Sequence, residues 1–184
     1  MSFPTTPAYI QSADGWESRL REHPVLDWMM DYIDELDNKD LLSKPYNVWH
    51  ADDLTVTKEN GETLSPGTES WAAVLELFAP LSAHCHEAVW AAIWETPNGW
   101  GFVGHARIFA NLLLPGEQTK TDLNGRKWDI LIQGMYQFDF VRDATGHKGL
   151  KLRAEKVFFD PSQMLGLMVK RGMLSPEELV SRLS

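Results

Sequence analysis

The sequence predicts one α+β domain, in which a strongly curved antiparallel sheet packs on N-terminal helices and is followed by extra C-terminal helices. Three observations lead to this fold class: apolar residues at helical spacing near both ends, long alternating strands in the second half, and no linker between them. Hydrophobic residues make up 43% of the 184 residues, which is enough for one sizeable core. We expect residues 1–23 to form an extended arm and 24–184 to form the domain, with its core at 24–160 and its C-terminal helices at 161–184.

The first half predicts two helices separated by a short hairpin. A helix is expected from Pro24 to near Lys39–Asp40, with a buried stripe that repeats every three or four residues. Residues 46–58 are rich in β-forming side chains, and Asn60-Gly61 is the signal of a tight hairpin turn. Ser65-Pro66-Gly67 is expected to open the second helix.

The second half predicts four long strands and two helices. The strands are expected at residues 82–96, 100–113, 128–141 and 150–159. The third of them alternates most clearly, with large apolar side chains on one face and polar side chains on the other. Asp160-Pro161 and Ser175-Pro176 are typical helix starts, and Gly172 is a typical helix stop.

The charge pattern argues against polyanionic partners. The net charge is −9 and the pI is near 5.1, and no run of Lys or Arg forms the basic patch that nucleic acid or an anionic membrane surface requires. Apolar stretches are too short to span a bilayer, and the N-terminus lacks the pattern of a secretory signal. The single cysteine, Cys85, suits a reducing compartment. The sequence thus predicts a cytoplasmic protein without nucleic-acid or membrane partners.

Aromatic residues make up 11% of the chain, with eight Trp, eight Phe and four Tyr, many of them in the strand-rich half. A large aromatic core would bury such rings. An aromatic-lined cavity for a flat or polycyclic ligand would use them equally well. Both interpretations stay open on the sequence alone.

Short phrases in the first half carry a family resemblance. Glu35-Leu36-Asp37-Asn38-Lys39-Asp40-Leu41 is followed by Asp52-Asp53-Leu54-Thr55-Val56 and then by Gly61-Glu62. This order resembles the nuclear transport factor 2-like superfamily, in which a first helix often ends in a Leu-Asn/Asp-x-x-Asp phrase. Over residues 24–160 the chain looks most like SnoaL-like proteins of the fungal type, with scytalone dehydratase as a more distant relative. The ending Phe158-Phe159-Asp160-Pro161-Ser162 adds to this likeness.

The resemblance implies a cone-shaped, cystatin-like roll around a deep pocket, often as a homodimer. Enzymes of this type are usually cofactor-free dehydratases, isomerases or cyclases, whereas other members are binding and transport modules that do no chemistry. We therefore expect a small-molecule ligand, a homodimer and no cofactor. Because one fold hosts many functions, the activity has to be argued from individual residues.

Asp37 is the first candidate for a catalytic group. At about 100° per residue it lies roughly 80° from the centre of the apolar stripe near Leu36, whereas Asp34 lies roughly 140° away, so Asp37 is the acid that can reach a cavity. The resemblance puts Asp37 where scytalone dehydratase has a pocket aspartate beside a tyrosine, although Leu36 replaces that tyrosine here. A boundary carboxylate without a function is the alternative, and a metal site at Asp31, Asp34 and Asp37 is disfavoured because no histidine accompanies them.

His84 and His86 are the next catalytic candidates. On a strand both point to one face, which regular alternation shares with Ala88, Trp90, Ala92 and Trp94. Burial or a nearby carboxylate could adjust an imidazole for proton transfer. The resemblance implies one pocket histidine on this strand without telling which of the two it is. A purely structural pair is the alternative, and no metal is predicted because the spacing supplies no third ligand.

Four residues are candidates for ligand binding, namely Tyr32, Trp90, His105 and Tyr136. Trp90 shares the predicted face of the two histidines. The two tyrosines could present hydroxyl groups to a ligand, although both are also typical core residues. His105 shares its strand face with Arg107 and Asn111, which favours solvent or a dimer interface over a pocket position.

The sequence lacks the residues that several other types of reaction require. Lys58 stands near where ketosteroid-isomerase-like members carry a carboxylate base, Cys85 points away from both strand histidines, and no phosphate loop or Rossmann fingerprint is present. The sequence therefore predicts a cofactor-independent lyase or isomerase that uses His86 or His84 with Asp37 for acid/base catalysis on a hydrophobic polyketide- or terpenoid-like molecule. The alternative is a non-catalytic module that binds a small molecule or a protein partner through the same cone.

Overall fold

Eight strands and five helices make up the described part of the chain. The computed structural model describes residues 9–38, 45–58, 60–64 and 66–183. The strands are β1 (Tyr9–Ser12), β2 (His50–Thr57), β3 (Leu81–Thr96), β4 (Gly99–Leu112), β5 (Lys120–Thr121), β6 (Lys127–Trp128), β7 (Ile130–Arg142) and β8 (Leu150–Phe159). The helices are α1 (Pro24–Asp37), α2 (Tyr46–Trp49), α3 (Thr68–Phe78), α4 (Ser162–Lys170) and α5 (Pro176–Leu183). Short 3-10 helices cover Ser18–Glu22 and His147–Gly149.

Six of the strands form one sheet in the order β1-β3-β4-β7-β8-β2. Neighbouring strands are antiparallel except for β2, which is parallel to β8. β5 and β6 form a separate two-stranded ribbon. Long strands with bulges curve around few helices, so the predicted α+β class with a curved sheet is confirmed.

Bulges decide which residues of β3 and β8 face inwards. In β3 the register against β4 shifts between Ala88 and Trp90. In β8 it shifts at Arg153, since Asp139 of β7 pairs with Ala154 while its neighbour Phe140 pairs with Leu152. Each bulge adds one residue to the strand, so the in–out alternation inverts beyond it.

The bulge in β3 overturns the predicted face of the second half of this strand. Beyond it Ala91 and Ile93 are the buried residues, whereas Trp94 is 37% exposed. The prediction that Ala92 and Trp94 share the face of the histidine pair is therefore wrong, because it assumed an uninterrupted strand.

Helix α1 packs against the sheet along the predicted stripe. Its buried residues are Val25, Leu26, Trp28, Met29, Tyr32, Ile33 and Leu36. The helix begins at Pro24 as predicted, and the His23 ring caps it because Nδ1 accepts a hydrogen bond from the Val25 N–H at 3.2 Å. It ends at Asp37, whereas the predicted end at Lys39–Asp40 lies outside the described residues.

The segment between α1 and α3 differs in part from the prediction. Residues 46–49 form one helical turn, because the chain must fold back here to bury Trp49 before β2 begins. The tight turn at Asn60-Gly61 is confirmed: Gly61 has a φ of 84°, and its N–H donates to the Lys58 carbonyl at 2.9 Å. Helix α3 begins at Thr68, and the predicted start at Ser65 lies outside the described residues.

Two hydrophobic clusters occupy opposite ends of the long strands. The first joins α1 and α3 to one end of the sheet, through residues such as Ile93, Phe102 and Phe140. The second joins α4 to the other end, through residues such as Ile108 and Ile132. Within the described ranges, no helix is both long enough and apolar enough to cross a membrane.

Candidate active site

A cavity of about 130 Å³ lies between the two clusters. Most of its wall is apolar, and its polar lining residues are Gln11, Tyr32, His86, His105, Tyr136 and Glu155. Trp16, Trp71 and Trp90 also line it, while Trp28 and Trp49 are fully buried in the core. The aromatic residues thus serve both of the uses that the sequence left open.

Asp37 and His86 form a hydrogen-bonded pair beside this cavity, referred to below as the Asp37–His86 pair. Nδ1 of His86 lies 2.6 Å from Oδ1 of Asp37, and the backbone N–H of His86 donates to Oδ2 at 3.0 Å. A carboxylate can only accept, so the Asp37 contact places a proton on Nδ1, and in the neutral form of the imidazole the lone pair is then on Nε2. The indole N–H of Trp16 donates to the His86 carbonyl at 2.9 Å and fixes the strand at this point.

His84 supports the pair from behind. Its side chain is only 1% exposed, and its Nε2 donates to the Leu36 carbonyl at 3.0 Å, at the end of α1. The Phe78 ring packs on it with ring centroids 4.7 Å apart. Of the two strand histidines, His86 therefore lines the cavity, and His84 ties α1 to β3.

Asp37, His84 and His86 are also the described residues that could hold a metal ion, since their ligand atoms lie within 4.8 Å of one another. Ligands of a tetrahedral zinc ion are about 3.3 Å apart, given zinc–nitrogen distances of about 2.0 Å. The 2.6 Å separation between Asp37 and His86 is shorter and favours a shared proton. The hydrogen bond of His84 to a backbone carbonyl also occupies the nitrogen that would bind metal.

Glu155 is a cavity residue that the sequence analysis missed. It lies on β8 with Val157 and Phe159, which line the cavity as well. Burial raises the pKa of its carboxyl group to about 7, an effect that His86 opposes electrostatically. Across the described ranges, no hydrogen-bond donor or Lys or Arg side chain contacts this carboxyl group. The one signal in the sequence is a lone acid between Leu152 and Val157 in the final strand.

The two candidate tyrosines differ in their hydroxyl groups. Tyr32 donates to His50 Nε2 at 3.0 Å, and His50 Nδ1 in turn donates to the Tyr46 carbonyl at 3.1 Å. Burial lowers the pKa of His50 to about 4, so this ring stays a neutral acceptor near pH 7. The Tyr136 hydroxyl is buried and has no hydrogen-bond partner within the described ranges.

The remaining candidates take different places. Trp90 and His105 pair across β3 and β4 next to the bulge, and both border the cavity. Lys58 forms an exposed ion pair with Glu62 at 3.0 Å, away from the cavity lining. Burial raises the pKa of the Cys85 thiol to about 12, which keeps it protonated and unreactive near pH 7.

Solved structures match the chain in fold, whereas no protein-family model and no curated protein sequence matches it. Kfla4162 from Kribbella flavida is 21% identical, with a TM-score of 0.56 over 78% of this chain and 93% of its own. A candidate scytalone dehydratase from Novosphingobium aromaticivorans is 10% identical, with a TM-score of 0.57 over 77% and 85%. A hexachlorocyclohexane dehydrochlorinase, LinA type 2, is 15% identical, with a TM-score of 0.51 over 74% and 83%.

The chain has the nuclear transport factor 2-like fold. The cone-shaped roll that the sequence resemblance implied is therefore confirmed, with a helix-supported curved sheet around a cavity. At identities of 21% or less these likenesses establish the fold alone, and the fungal SnoaL-like type stays a prediction. The nuclear transport factor 2-like fold leaves about a quarter of this chain outside the matched regions.

Proposed function

We propose that the protein is a lyase or isomerase that uses general acid/base catalysis on a hydrophobic small molecule in its cavity. The observation that carries this proposal is the 2.6 Å contact between Asp37 Oδ1 and His86 Nδ1 at the wall of an apolar cavity. An imidazole held in this way offers a basic Nε2 to a ligand, which suits removal of a proton next to a carbonyl group. The shared fold of two proteins named for elimination reactions, a dehydratase and a dehydrochlorinase, supports the reaction class.

The reaction is balanced without an external reagent when the substrate is a β-hydroxy ketone. His86 Nε2 accepts a proton from the carbon between the carbonyl group and the hydroxyl-bearing carbon. The C–O bond then breaks as the C=C bond forms, and the imidazolium returns the proton to the departing hydroxyl, which leaves as water. Asp37 orients the ring and stabilises the imidazolium between the two transfers.

The composition of the cavity wall supports the proposal that the substrate is a flat, largely apolar molecule of the polyketide or terpenoid type. Its wall is mostly aliphatic and aromatic, and few polar groups converge on it, which is the usual composition of a site for such ligands. Gln11 and His105 at the lining, with Trp90, would contact the polar edge and the ring face of the ligand.

We extend the proposal to a cytoplasmic homodimer that works without a cofactor. The net charge of −9 supports the absence of nucleic-acid and anionic-membrane partners. Exposed apolar side chains on the neighbouring strands β1 and β3, Ile10 and Trp94, support a surface for a second copy. Light scattering on the purified protein measures the oligomeric state, and a monomer at micromolar concentration would remove this part of the proposal.

The test uses 3-hydroxy-1-tetralone, a bicyclic β-hydroxy ketone that loses water and tautomerises to fluorescent 1-naphthol. We expect the wild-type protein to accelerate the appearance of 1-naphthol. His86→Ala and Asp37→Asn should each lower the rate by about 100-fold or more, the usual contribution of a positioned general base. Circular dichroism of each variant verifies that it is folded.

His147→Ala is the matched control, since α1 carries a second Asp–His pair. His147 Nε2 lies 2.8 Å from Asp31 Oδ2, but this pair lies outside the cavity lining, and the variant should keep the wild-type rate. A wild-type rate in His86→Ala would refute the proposed role of the Asp37–His86 pair. If 1-tetralone binds but its C2 protons do not exchange in deuterated water, the non-catalytic binding module becomes the better account.

A further inference from the structure

Glu155 and Tyr136 form a second polar group in the cavity, on strands that do not carry the Asp37–His86 pair. In the pairing of β7 with β8, Phe138 lies opposite Glu155 and Tyr136 lies opposite Val157. Glu155 and Tyr136 are therefore diagonal neighbours on the inner face of the sheet. Both line the cavity.

Neither of these two groups has its hydrogen-bonding capacity met by the described protein. Among the described residues, the buried Tyr136 hydroxyl has no partner, and the Glu155 carboxyl group receives no hydrogen bond and faces no Lys or Arg. Buried polar groups in proteins are nearly always hydrogen-bonded, and the exceptions call for an explanation. The Tyr136 hydroxyl is such an exception, and the half-buried Glu155 carboxyl group lies diagonally beside it at the cavity wall, so together they point to a ligand that hydrogen-bonds to both.

The chain places these side chains by two local features. The bulge at Arg153 turns Glu155 inwards, since uninterrupted alternation from Leu152 would have turned it outwards. Gly134 makes room for the Tyr136 ring, because a Cβ atom at position 134 would lie 2.9 Å from the Tyr136 hydroxyl.

The titratable groups around Glu155 decide its charge. His86 faces it from β3, Tyr136 from β7 and Tyr32 from α1. Burial raises the pKa of Glu155 to about 7 and raises the pKa of each tyrosine above its ordinary value. Below neutral pH the Glu155 carboxyl group is therefore protonated, and a protonated carboxyl group can donate a hydrogen bond.

We infer that Glu155 and Tyr136 together bind one oxygen atom of the ligand, the carbonyl oxygen of a ketone or the oxygen of the derived enol, through hydrogen bonds that both side chains donate. The inference rests on the proposed function, because this oxygen gains negative charge when His86 removes the neighbouring proton. Glu155 keeps its proton throughout, and its hydrogen bond strengthens as the charge develops. The ligand class narrows to flat ketones and phenols, while hydrocarbons and carboxylates are disfavoured.

The test compares the binding of 1-tetralone with that of tetralin, which has the same rings without the oxygen. Quenching of tryptophan fluorescence measures both at about pH 5.5 and about pH 8.5, on either side of the Glu155 pKa. The wild-type protein should prefer the ketone by about tenfold at the lower pH, as one or two added hydrogen bonds predict. The preference should shrink at the higher pH, where the carboxylate repels the carbonyl oxygen.

The variants assign this preference to the two residues. Glu155→Gln should keep it at both pH values, Glu155→Leu should lose it at both, and Tyr136→Phe should weaken it. Glu95→Gln, the same change at an exposed strand position, should behave like the wild-type protein. A full ketone preference in Glu155→Leu, or an unchanged pH response in Glu155→Gln, would overturn the inference.

The design separates this inference from the proposed function. 1-Tetralone has no hydroxyl group to lose, so its binding does not depend on turnover. If His86→Ala leaves dehydration unchanged while the ketone preference still requires Glu155, the proposed function fails and the oxygen site stands. If dehydration requires His86 but Glu155→Leu binds the ketone like the wild-type protein, the oxygen site fails alone.

Discussion

At the scale of single residues, three carboxyl groups that look alike in the sequence differ in their surroundings. Asp31 lies on the outer side of α1, where hydrogen bonds from Lys148 and Arg21 outweigh burial and hold its pKa well below the usual range. Asp37, two turns later on the same helix, has His86 as its partner. Glu155 lies at the cavity wall, and among the described residues no Lys or Arg contacts it. Burial therefore raises its pKa. Of Asp31 and Glu155, only Glu155 can change its charge near neutral pH.

Glu155→Gln should change how stability depends on pH. The folded chain keeps the Glu155 proton up to about pH 7, whereas the unfolded chain releases it near the ordinary glutamate pKa of 4.5. The wild-type protein therefore loses stability as the pH rises through this window, by up to about 3 kcal/mol, and the variant does not. Urea unfolding of both proteins across this range measures the difference. A difference in unfolding free energy that stays constant with pH would contradict the placement of Glu155.

At the scale of elements, regular periodicity predicts which face a residue lies on, whereas a bulge that interrupts the periodicity is not predictable from the sequence of one strand. The 3.6-residue period of α1 was enough to place Asp37 at the edge of the buried face, where it meets His86. Alternation failed in β3 and β8 because a bulge depends on the pairing with a neighbouring strand, which the sequence of one strand does not contain. In β8, strict alternation puts Ala154 and Lys156 inside, and for this reason Glu155 escaped notice.

Helix α4 is held on the sheet by one bidentate ion pair at its C-terminal end. Arg171 places its two terminal nitrogens 2.6 Å and 2.8 Å from the two carboxylate oxygens of Asp129, and it also donates to the Leu114 carbonyl at 2.7 Å. The Asp129 side chain is only 2% exposed, and it accepts a further hydrogen bond from the Leu112 N–H at 2.8 Å. The ion pair thus helps to hold on the sheet the helix whose Met164 lines the cavity.

Arg171→Ala should destabilise the protein by about 3–5 kcal/mol, because it leaves the buried Asp129 carboxylate without its cation. Arg19→Ala is the matched control: its ion pair with Glu17 is exposed, so its loss should lower the stability far less than Arg171→Ala does. Urea unfolding of the two variants at neutral pH provides the comparison. Equal losses in both would show that the buried pair does not hold α4.

At the scale of the whole molecule, the cavity separates the two hydrophobic clusters instead of lying at the rim. Gly134 of β7 lies opposite Ala106 next to the Tyr136 ring, and the cavity floor itself includes two small residues that pair across neighbouring strands, Ala88 of β3 and Ala106 of β4. Larger side chains at these positions would join the two clusters into one continuous core. The small residues thus reduce core packing along one line across the sheet and leave this volume open for a ligand.

Ala106→Leu should therefore fold, and its larger side chain should fill the cavity. The variant should remain stable but no longer bind the ligand. A ligand at a hundredfold excess over its Kd adds about 2.7 kcal/mol to the stability of a protein that binds it. 1-Tetralone should raise the Tm of the wild-type protein and of Ala72→Leu, a control at an exposed position of α3. It should leave the Tm of Ala106→Leu unchanged. An equal shift in all three proteins would place the ligand outside this cavity.

The bulges in β3 and β8 also affect how this chain is to be compared with relatives. A relative whose strands lack the extra residue matches this structure only when its alignment carries a one-residue gap at each bulge, next to Val89 and at Arg153. Without the gap, every later residue of the strand is matched to a neighbour that points to the opposite face. If a relative has a cavity acid at the position of Glu155, such an alignment would match that acid to Ala154 or Lys156. The sequence comparison would then report no counterpart of Glu155, although the two folded proteins have the acid at the same place.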